Sequence, residues 1–422
     1  MARKMKDSGI EWIGEIPEGW EVGQIGQLYS ERRTKVSDKD YPPLSVTMKG
    51  ILPQLSTAAK TDAHDDRKLV CKGDFAINSR SDRRGSCGIS EQDGSISLIN
   101  TVLQPRGEMN PGYYNWLFHT SMFADEFYKW GHGIVDDLWT TGWSDMKKIG
   151  VPVPSKCEQK QIAEHLNFEC SNIDTILSKT RSSIEKYKKL KQAVITQAVT
   201  KGVRGEREMK DSGVDWIGKI PTTYSICKLK YLLKNPLKYG ANESGIPYSD
   251  SLPRYIRITD ITPDGNLKYT GKLSLSEESA KDYILEDGDI LFARSGATVG
   301  KTFIYYQSYG RSAYAGYLIK ASLNNKVSPK FVYYYTCSSL YEIWKNSIFI
   351  QSTIQNIGAD RYANLPVPVP KTLQEQEEIA AYLDAKCAEI DGLIAKKEQL
   401  VKELESYKKS LIYEVVTGKR EV

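Results

Sequence analysis

The chain has 422 residues, 40% hydrophobic and 26% charged, with a formal net charge of +5. That composition belongs to a globular protein of two or three domains and excludes a disordered or fibrous chain. No run of about eighteen apolar residues exists to span a bilayer, and Met1-Ala2-Arg3-Lys4-Met5-Lys6-Asp7 lacks the apolar core of a signal peptide, so the expectation is a cytosolic protein. The seven cysteines are scattered without a CxxC pair, which argues against a zinc cluster or a disulfide framework.

Self-similarity organises the chain. Met5-Lys6-Asp7-Ser8-Gly9-Ile10-Glu11-Trp12-Ile13-Gly14-Glu15-Ile16-Pro17 recurs as Met209-Lys210-Asp211-Ser212-Gly213-Val214-Asp215-Trp216-Ile217-Gly218-Lys219-Ile220-Pro221. Downstream, Gln161-Ile162-Ala163, Leu166-Asn167 and Ile173-Asp174 match Glu378-Ile379-Ala380, Leu383-Asp384 and Ile390-Asp391. The chain is two copies of roughly 205 to 215 residues, alike at their ends and diverged in their middles.

The middle of copy one, Val22 to Gly150, reads as mixed strand, turn and short helix. The turn Lys72-Gly73-Asp74 leads into a strand at Phe75-Ala76-Ile77, then a basic loop from Ser79 to Ser86. Ser95 to Ile99 alternates as a half-buried strand does, and Tyr113 to Phe127 places Tyr114, Leu117, Phe118 and Phe123 at helical spacing. Copy two repeats this order. A turn at Glu286–Asp289 is followed by a strand at Ile290–Ala293, a loop from Arg294 to Lys301, a strand at Ala313–Ile319 and an aromatic helix from Phe331 to Trp344.

Each copy ends in a proline-stiffened lead, Val151-Pro152-Val153-Pro154 or Val367-Pro368-Val369-Pro370, and then a long helical pattern. Apolar residues recur at three- and four-residue steps. They are Ile162, Leu166, Ile173, Leu177, Ile184, Tyr187, Val194 and Ala198 in the first, and Leu383, Ile390, Leu393, Leu400, Leu404, Tyr407 and Leu411 in the second, interrupted by Lys397. That is the narrow stripe of a coiled coil. At roughly 40 residues each helix would run about 60 Å. Each needs a partner, and the other copy's helix is the nearest; packing on its own globular block is the alternative. Residues 156–207 carry eleven Lys/Arg against six acids, and residues 371–422 nine against eleven. Affinity for nucleic acid must therefore come from local clusters rather than bulk charge.

Gly296-Ala297-Thr298-Val299-Gly300-Lys301-Thr302 resembles a phosphate-binding loop but has three residues between its glycines where the cradle needs four. A polar loop presenting Arg294, Ser295, Thr298 and Lys301 fits better. Its copy-one equivalent offers Arg80, Arg83 and Arg84. Arginine bidentate to guanine is the commonest specific base contact, and Ser, Thr and Lys add phosphate or base contacts; any single arginine is equally well explained as solvated charge. Trp139-Thr140-Thr141-Gly142-Trp143-Ser144 is taken to occupy the place of Gln351-Ser352-Thr353-Ile354-Gln355-Asn356, which makes Gln351 an adenine reader and Trp143 a weaker candidate. Lys49, Arg311 and Tyr314 complete the candidate DNA-binding set. The four histidines show no metal-ligand spacing, and no methyltransferase, nuclease or Gly-x-Ser-x-Gly signature appears. The residues supply chemistry for binding and no recognisable catalytic machinery.

The duplicated Trp-Ile-Gly-x-Ile-Pro openings resemble those of a known family. So do Asp289-Ile290-Leu291-Phe292-Ala293-Arg294-Ser295-Gly296 and Leu365-Pro366-Val367-Pro368-Val369-Pro370 leading to Glu375-Gln376-Glu377-Glu378-Ile379. The whole chain is similar to the specificity (S) subunits of type I restriction–modification systems, although copy one departs from the loop pattern with Asn78-Ser79-Arg80-Ser81-Asp82. The resemblance implies an α+β fold with a pseudo-twofold internal repeat. Two similar mixed α/β target recognition domains (1–154 and 208–370) would be separated by two long helices (155–207 and 371–422), packed as an intramolecular antiparallel coiled coil. Each domain would read one half of a bipartite, asymmetric site on double-stranded DNA. The helices would set the spacing and dock two methylation subunits. The resemblance implies no cofactor on this chain: S-adenosylmethionine would sit on the methylation partner, and ATP and Mg2+ on the restriction (motor and nuclease) subunits. A nucleotide hydrolase using Lys301 and a coiled-coil scaffold without sequence preference are the competing expectations.

Overall fold

A computed structural model describes all residues except 1–2, 55–63, 81–82, 108, 134–138, 263–264, 297 and 351–355. The chain forms two compact units, residues 1–181 with 399–422 and residues 182–398, so each long helix (Lys156–Lys201 and Leu373–Val416) contributes to both.

In the first unit a four-stranded antiparallel sheet runs in the order Cys87–Ile89, Phe75–Asn78, Asn100–Pro105, Tyr29–Glu31. The expected strand at Ser95–Ile99 is shorter, Gly94–Ile96. The strand Asn100–Pro105, which carries little alternation, lies inside the sheet because four of its six residues are buried on both faces. The aromatic stretch folds as two helices, Pro111–Phe118 and Ser121–Lys129. Asn110 and Thr120 cap them by accepting from Tyr113 and Phe123 N–H. Their rings fill the core against the sheet, with Phe118 4.9 Å from Phe75 and 4.5 Å from Phe123 between ring centroids.

The second unit repeats the sheet: Thr302–Ile304, Ile290–Ala293, Leu318–Ala321, Lys238–Tyr239. The central register is the same in both, Asn78 opposite Asn100 and Ala293 opposite Leu318. The expected strand at Ala313–Ile319 is broken by a turn into Ser312–Tyr314 and Leu318–Ala321. The aromatic helix is likewise two, Pro329–Thr336 and Ser339–Ile350.

In the first unit the start of the first long helix packs antiparallel on the end of the second. Lys408 Nζ lies 2.6 Å from Asp174 and Arg181 pairs with Glu405. In the second unit the same geometry recurs between residues 182–201 and 373–398, with Lys191 2.6 Å from Asp391 and Lys397 over the Tyr187 ring. Asp174–Lys408 and Asp391–Lys191 are the same two helix positions, 217 residues apart in each case. Antiparallel pairing is thus observed unit by unit. The stripe departs from expectation in one respect: Leu393, Leu400 and Tyr407 are 36%, 40% and 45% exposed, while Ile394, Val401 and Lys408 turn inward.

The repeated ends of the copies hold these helices in place. Gln159 accepts from Asn110 N–H at 2.9 Å and donates to Pro154 O, and Gln376 does the same with Ser328 N–H at 2.8 Å and Pro370 O. Leu411, Val415 and Val416 enter the first core beside Trp12, Ile13 and Trp20, while Ile195, Ala198 and Val199 enter the second beside Ile217, Ile220 and Tyr224. Gly418 and Gly202, at φ 72° and 75°, end the helices in the left-handed region where glycine carries no Cβ penalty.

Candidate nucleic-acid interface

In both units the loop between the first two core strands leaves the same end of the sheet, and buried aromatics from the helices pin its roots. Tyr362 donates to Ala293 O at 2.8 Å and Tyr341 to Gly300 O at 2.7 Å. In the first unit Tyr128 donates to Arg80 O at 2.8 Å. Part of the abundant tyrosine therefore anchors loops, with burial raising the Tyr341 and Tyr362 hydroxyls above their ordinary range.

The loop Arg294–Lys301 turns through Gly296 and Gly300, both at φ 80°. It runs directly into the strand Thr302–Ile304. A phosphate cradle needs a helix N-terminus at that point, so the loop is a hairpin tip and Lys301 is an exposed side chain on it. Arg294 is fixed through its backbone: its N–H donates to Tyr317 O at 3.0 Å and its carbonyl accepts from Ile357 N–H at 2.9 Å. Ser295 bridges to Asn356. Thr298 is half-buried and its carbonyl accepts from Lys301 N–H.

In the first unit the equivalent backbone contacts are Ser79 N–H to Ile99 O and Thr141 N–H to Ser79 O, with Arg80 bridging to Thr140. Ser79 therefore stands where Arg294 stands, and Arg80 where Ser295 stands. This corrects the expected equivalence of Trp139–Ser144 with 351–356: the shared pairing aligns Thr140 and Thr141 with Asn356 and Ile357. Arg80, Arg83 and Arg84 are exposed. Arg84 lies over the Tyr128 ring at 5.2 Å and 3.2 Å from Asp125. Lys49 is exposed at the tip of the hairpin Leu44–Thr47 and Gly50–Pro53. A Cβ on Gly88 would come within 2.7 Å of Gly50 Cα, so that hairpin packs directly on the strand leaving the arginine loop.

Three candidates do not join these surfaces. Tyr314 is fully buried and its hydroxyl donates to Lys238 O, which makes it a core residue. Arg311 sits at the other end of the strand Ser312–Tyr314 from Tyr317, in a two-pronged pair with Glu277 at 2.6 and 2.8 Å. Trp143 packs against the first core. Gln351 lies outside the described residues. Sequence inspection missed Tyr239, whose ring centroid is 5.0 Å from the Arg294 guanidinium carbon, because the two residues are 55 positions apart and meet only through the sheet. Among the described residues no group of His, Cys, Asp and Glu is arranged to hold a metal ion, and no helix is long and apolar enough to cross a membrane.

A shared scaffold presenting two unlike polar loop surfaces defines, as a class, a duplicated recognition protein with two non-identical sites. Residues 247–403 match the family described as the type I restriction modification DNA specificity domain. The chain is 24% identical to the type I restriction enzyme MjaVIII specificity subunit of Methanocaldococcus jannaschii, over 96% of this chain and 93% of that one. It is 22% identical to the type I restriction enzyme EcoKI specificity subunit of Escherichia coli K12, over 93% and 88%. Among solved structures, a chain from work on complex assembly and conformational transition of the type I R-M system superposes with a TM-score of 0.74 at 14% identity, covering 96% of this chain and 99% of that chain. The HsdS subunit from Thermoanaerobacter tengcongensis gives 0.52 at 16% identity, covering 96% and 98%. Over nearly its whole length the chain is similar to type I restriction specificity subunits, and residues 247–403 match their DNA specificity domain.

Proposed function

We propose that this chain is the DNA-reading subunit of a cytoplasmic type I restriction–modification complex, each unit reading one half of a bipartite, asymmetric site on double-stranded DNA. One observation carries this reading. The two units share the register of their central strands and several of the contacts that seat the helices, yet at the same loop position one has Ser79-Arg80 and the other Arg294-Ser295. A duplicated frame with divergent tips suits a target whose halves differ.

The long helices set the separation of the halves and dock two methylation subunits. In support, Ile176 and Leu190 of the first helix and their counterparts Leu393 and Tyr407 of the second are all exposed apolar residues, so each unit offers one of each pair. Large apolar side chains recurring on an outer face suit protein partners. The chain itself catalyses nothing. S-adenosylmethionine belongs to the methylation subunits, and ATP with Mg2+ to restriction subunits where they are present.

Mapping methylated adenines in a genome carrying this chain and its methylation partner tests the proposal. The expected result is a single motif of two unlike short sequences separated by a fixed unspecified gap. An unsplit motif, or two identical halves, would overturn it.

A further inference from the structure

We propose that Tyr239 positions Arg294 to read a guanine, so that the half-site belonging to residues 182–398 contains a G·C pair recognised in the major groove; this rests on the DNA-reading function above. Arg294 directly follows the strand Ile290–Ala293, and its two backbone hydrogen bonds, to Tyr317 and from Ile357, fix where its side chain starts. The guanidinium carbon then lies 5.0 Å from the centre of the Tyr239 ring. Tyr239 is itself held at two points. Its backbone pairs with Ile319 in the sheet, and its hydroxyl accepts from Ala359 N–H at 3.0 Å. Tyr239 is 40% exposed, so the pair stands at the surface.

Arg294 differs from most arginines of its unit in lying over a ring and holding no carboxylate; Arg254 and Arg361 also hold no carboxylate among the described residues. In the same unit Arg204, Arg207, Arg257 and Arg311 each hold a carboxylate. Among the described residues the Arg294 guanidinium has none. Contact with a ring face holds the cation without pairing its N–H donors as a carboxylate would. It also restricts where the fork can lie before any ligand arrives. A phosphate demands charge but little orientation. A bidentate contact to guanine O6 and N7 demands a planar fork in a set plane. At the equivalent position of the first unit Ser79 turns inward and its hydroxyl donates to Ile99 O, so this element belongs to one half only.

The test uses the complete methyltransferase, this chain with its methylation subunits. Methylation rates are measured on the mapped site and on sites with each base pair of both halves changed in turn, for wild type, Tyr239→Leu, Tyr239→Phe and Arg294→Lys. Wild type should lose about tenfold or more at one G·C pair. Tyr239→Leu and Arg294→Lys should each erase most of that discrimination and leave every pair of the other half unaffected. Tyr239→Phe, which keeps the ring, should restore it. A half-site without such a G·C pair, or a Tyr239→Leu defect shared equally by all DNA sequences, overturns the inference and makes Arg294 a phosphate contact. Absence of preference at every pair of both halves would instead remove the DNA-reading function on which it rests.

Discussion

Glu375 sits in the first turn of the second long helix, 5% exposed. It accepts from Arg207 and, at 3.1 Å, from the Tyr224 hydroxyl. A carboxylate at a helix start is favoured by the exposed N–H groups there, and this one also ties the opening segment of its copy to the helix. Glu158 does the same for Arg3 and for Trp20, whose indole N–H donates at 3.1 Å. Burial separates the two. The Arg207 and Glu375 side chains are 19% and 7% exposed, against 31% and 28% for Arg3 and Glu158. Arg207→Ala should therefore cost about 3 kcal/mol, the scale of a buried charge left without its partner. Arg3→Ala should cost less than about 1 kcal/mol, the scale of exposed pairs. Urea unfolding of the two variants measures both; equal losses would show that burial does not decide. Little of this was legible in the sequence. Arg3 and Arg207 lie just outside the clear opening repeat, and their partners are more than 150 residues away.

The helix pair shows where pattern reading stops. Its existence follows from apolar spacing alone, because few other arrangements suit a long helix with a narrow stripe. The second position of each heptad does not follow. Leu393-Ile394 and Leu400-Val401 are adjacent apolar pairs, and a three-residue step and a four-residue step select different members. The structure selects Ile394 and Val401, matching Leu177 and Ile184 of the first helix. Val401 packs on the first core and Leu400 points outward. In the chain alone, Val401→Ala should cost about 1 kcal/mol or more, and Leu400→Ala should stay within about 0.5 kcal/mol despite removing more carbon. Thermal unfolding of the two variants distinguishes the registers, since the reverse order would restore the Leu393–Leu400 stripe. The central strand Asn100–Pro105 was hidden for a related reason: burial on both faces abolishes the alternation that marks a strand.

At the scale of the molecule, the frame and the reader part at a definable place. Each block is bounded by an antiparallel strand pair, Glu21–Gln24 with Gly150–Val153 and Tyr224–Lys228 with Pro366–Pro370. A block taken as residues 22–150, the limits the sequence suggests, cuts through the first ladder; residues 25–149 leave it whole. Residues 229–365 are the matching block of the second unit. Placing them in both positions should give a chain with one reader twice. Most frame contacts carry over. The backbone N–H of Ser328 takes the place of that of Asn110 on Gln159, and Tyr334 takes the place of Trp116, whose indole donates to Asn167. In its own unit Tyr334 donates to Asp384 at 2.7 Å, and Lys330 lies 2.7 Å from the same carboxylate. Opposite Asn167 the hydroxyl keeps an acceptor but the lysine loses its charge partner, and Asn167→Asp supplies it. The doubled chain carrying Asn167→Asp should direct methylation to two copies of the half-site now read by residues 182–398, as adenine mapping would show. Retention of the original unlike halves would place base recognition outside residues 25–149. A folded but inactive doubled chain, with and without Asn167→Asp, would mean that the blocks are not interchangeable on this frame.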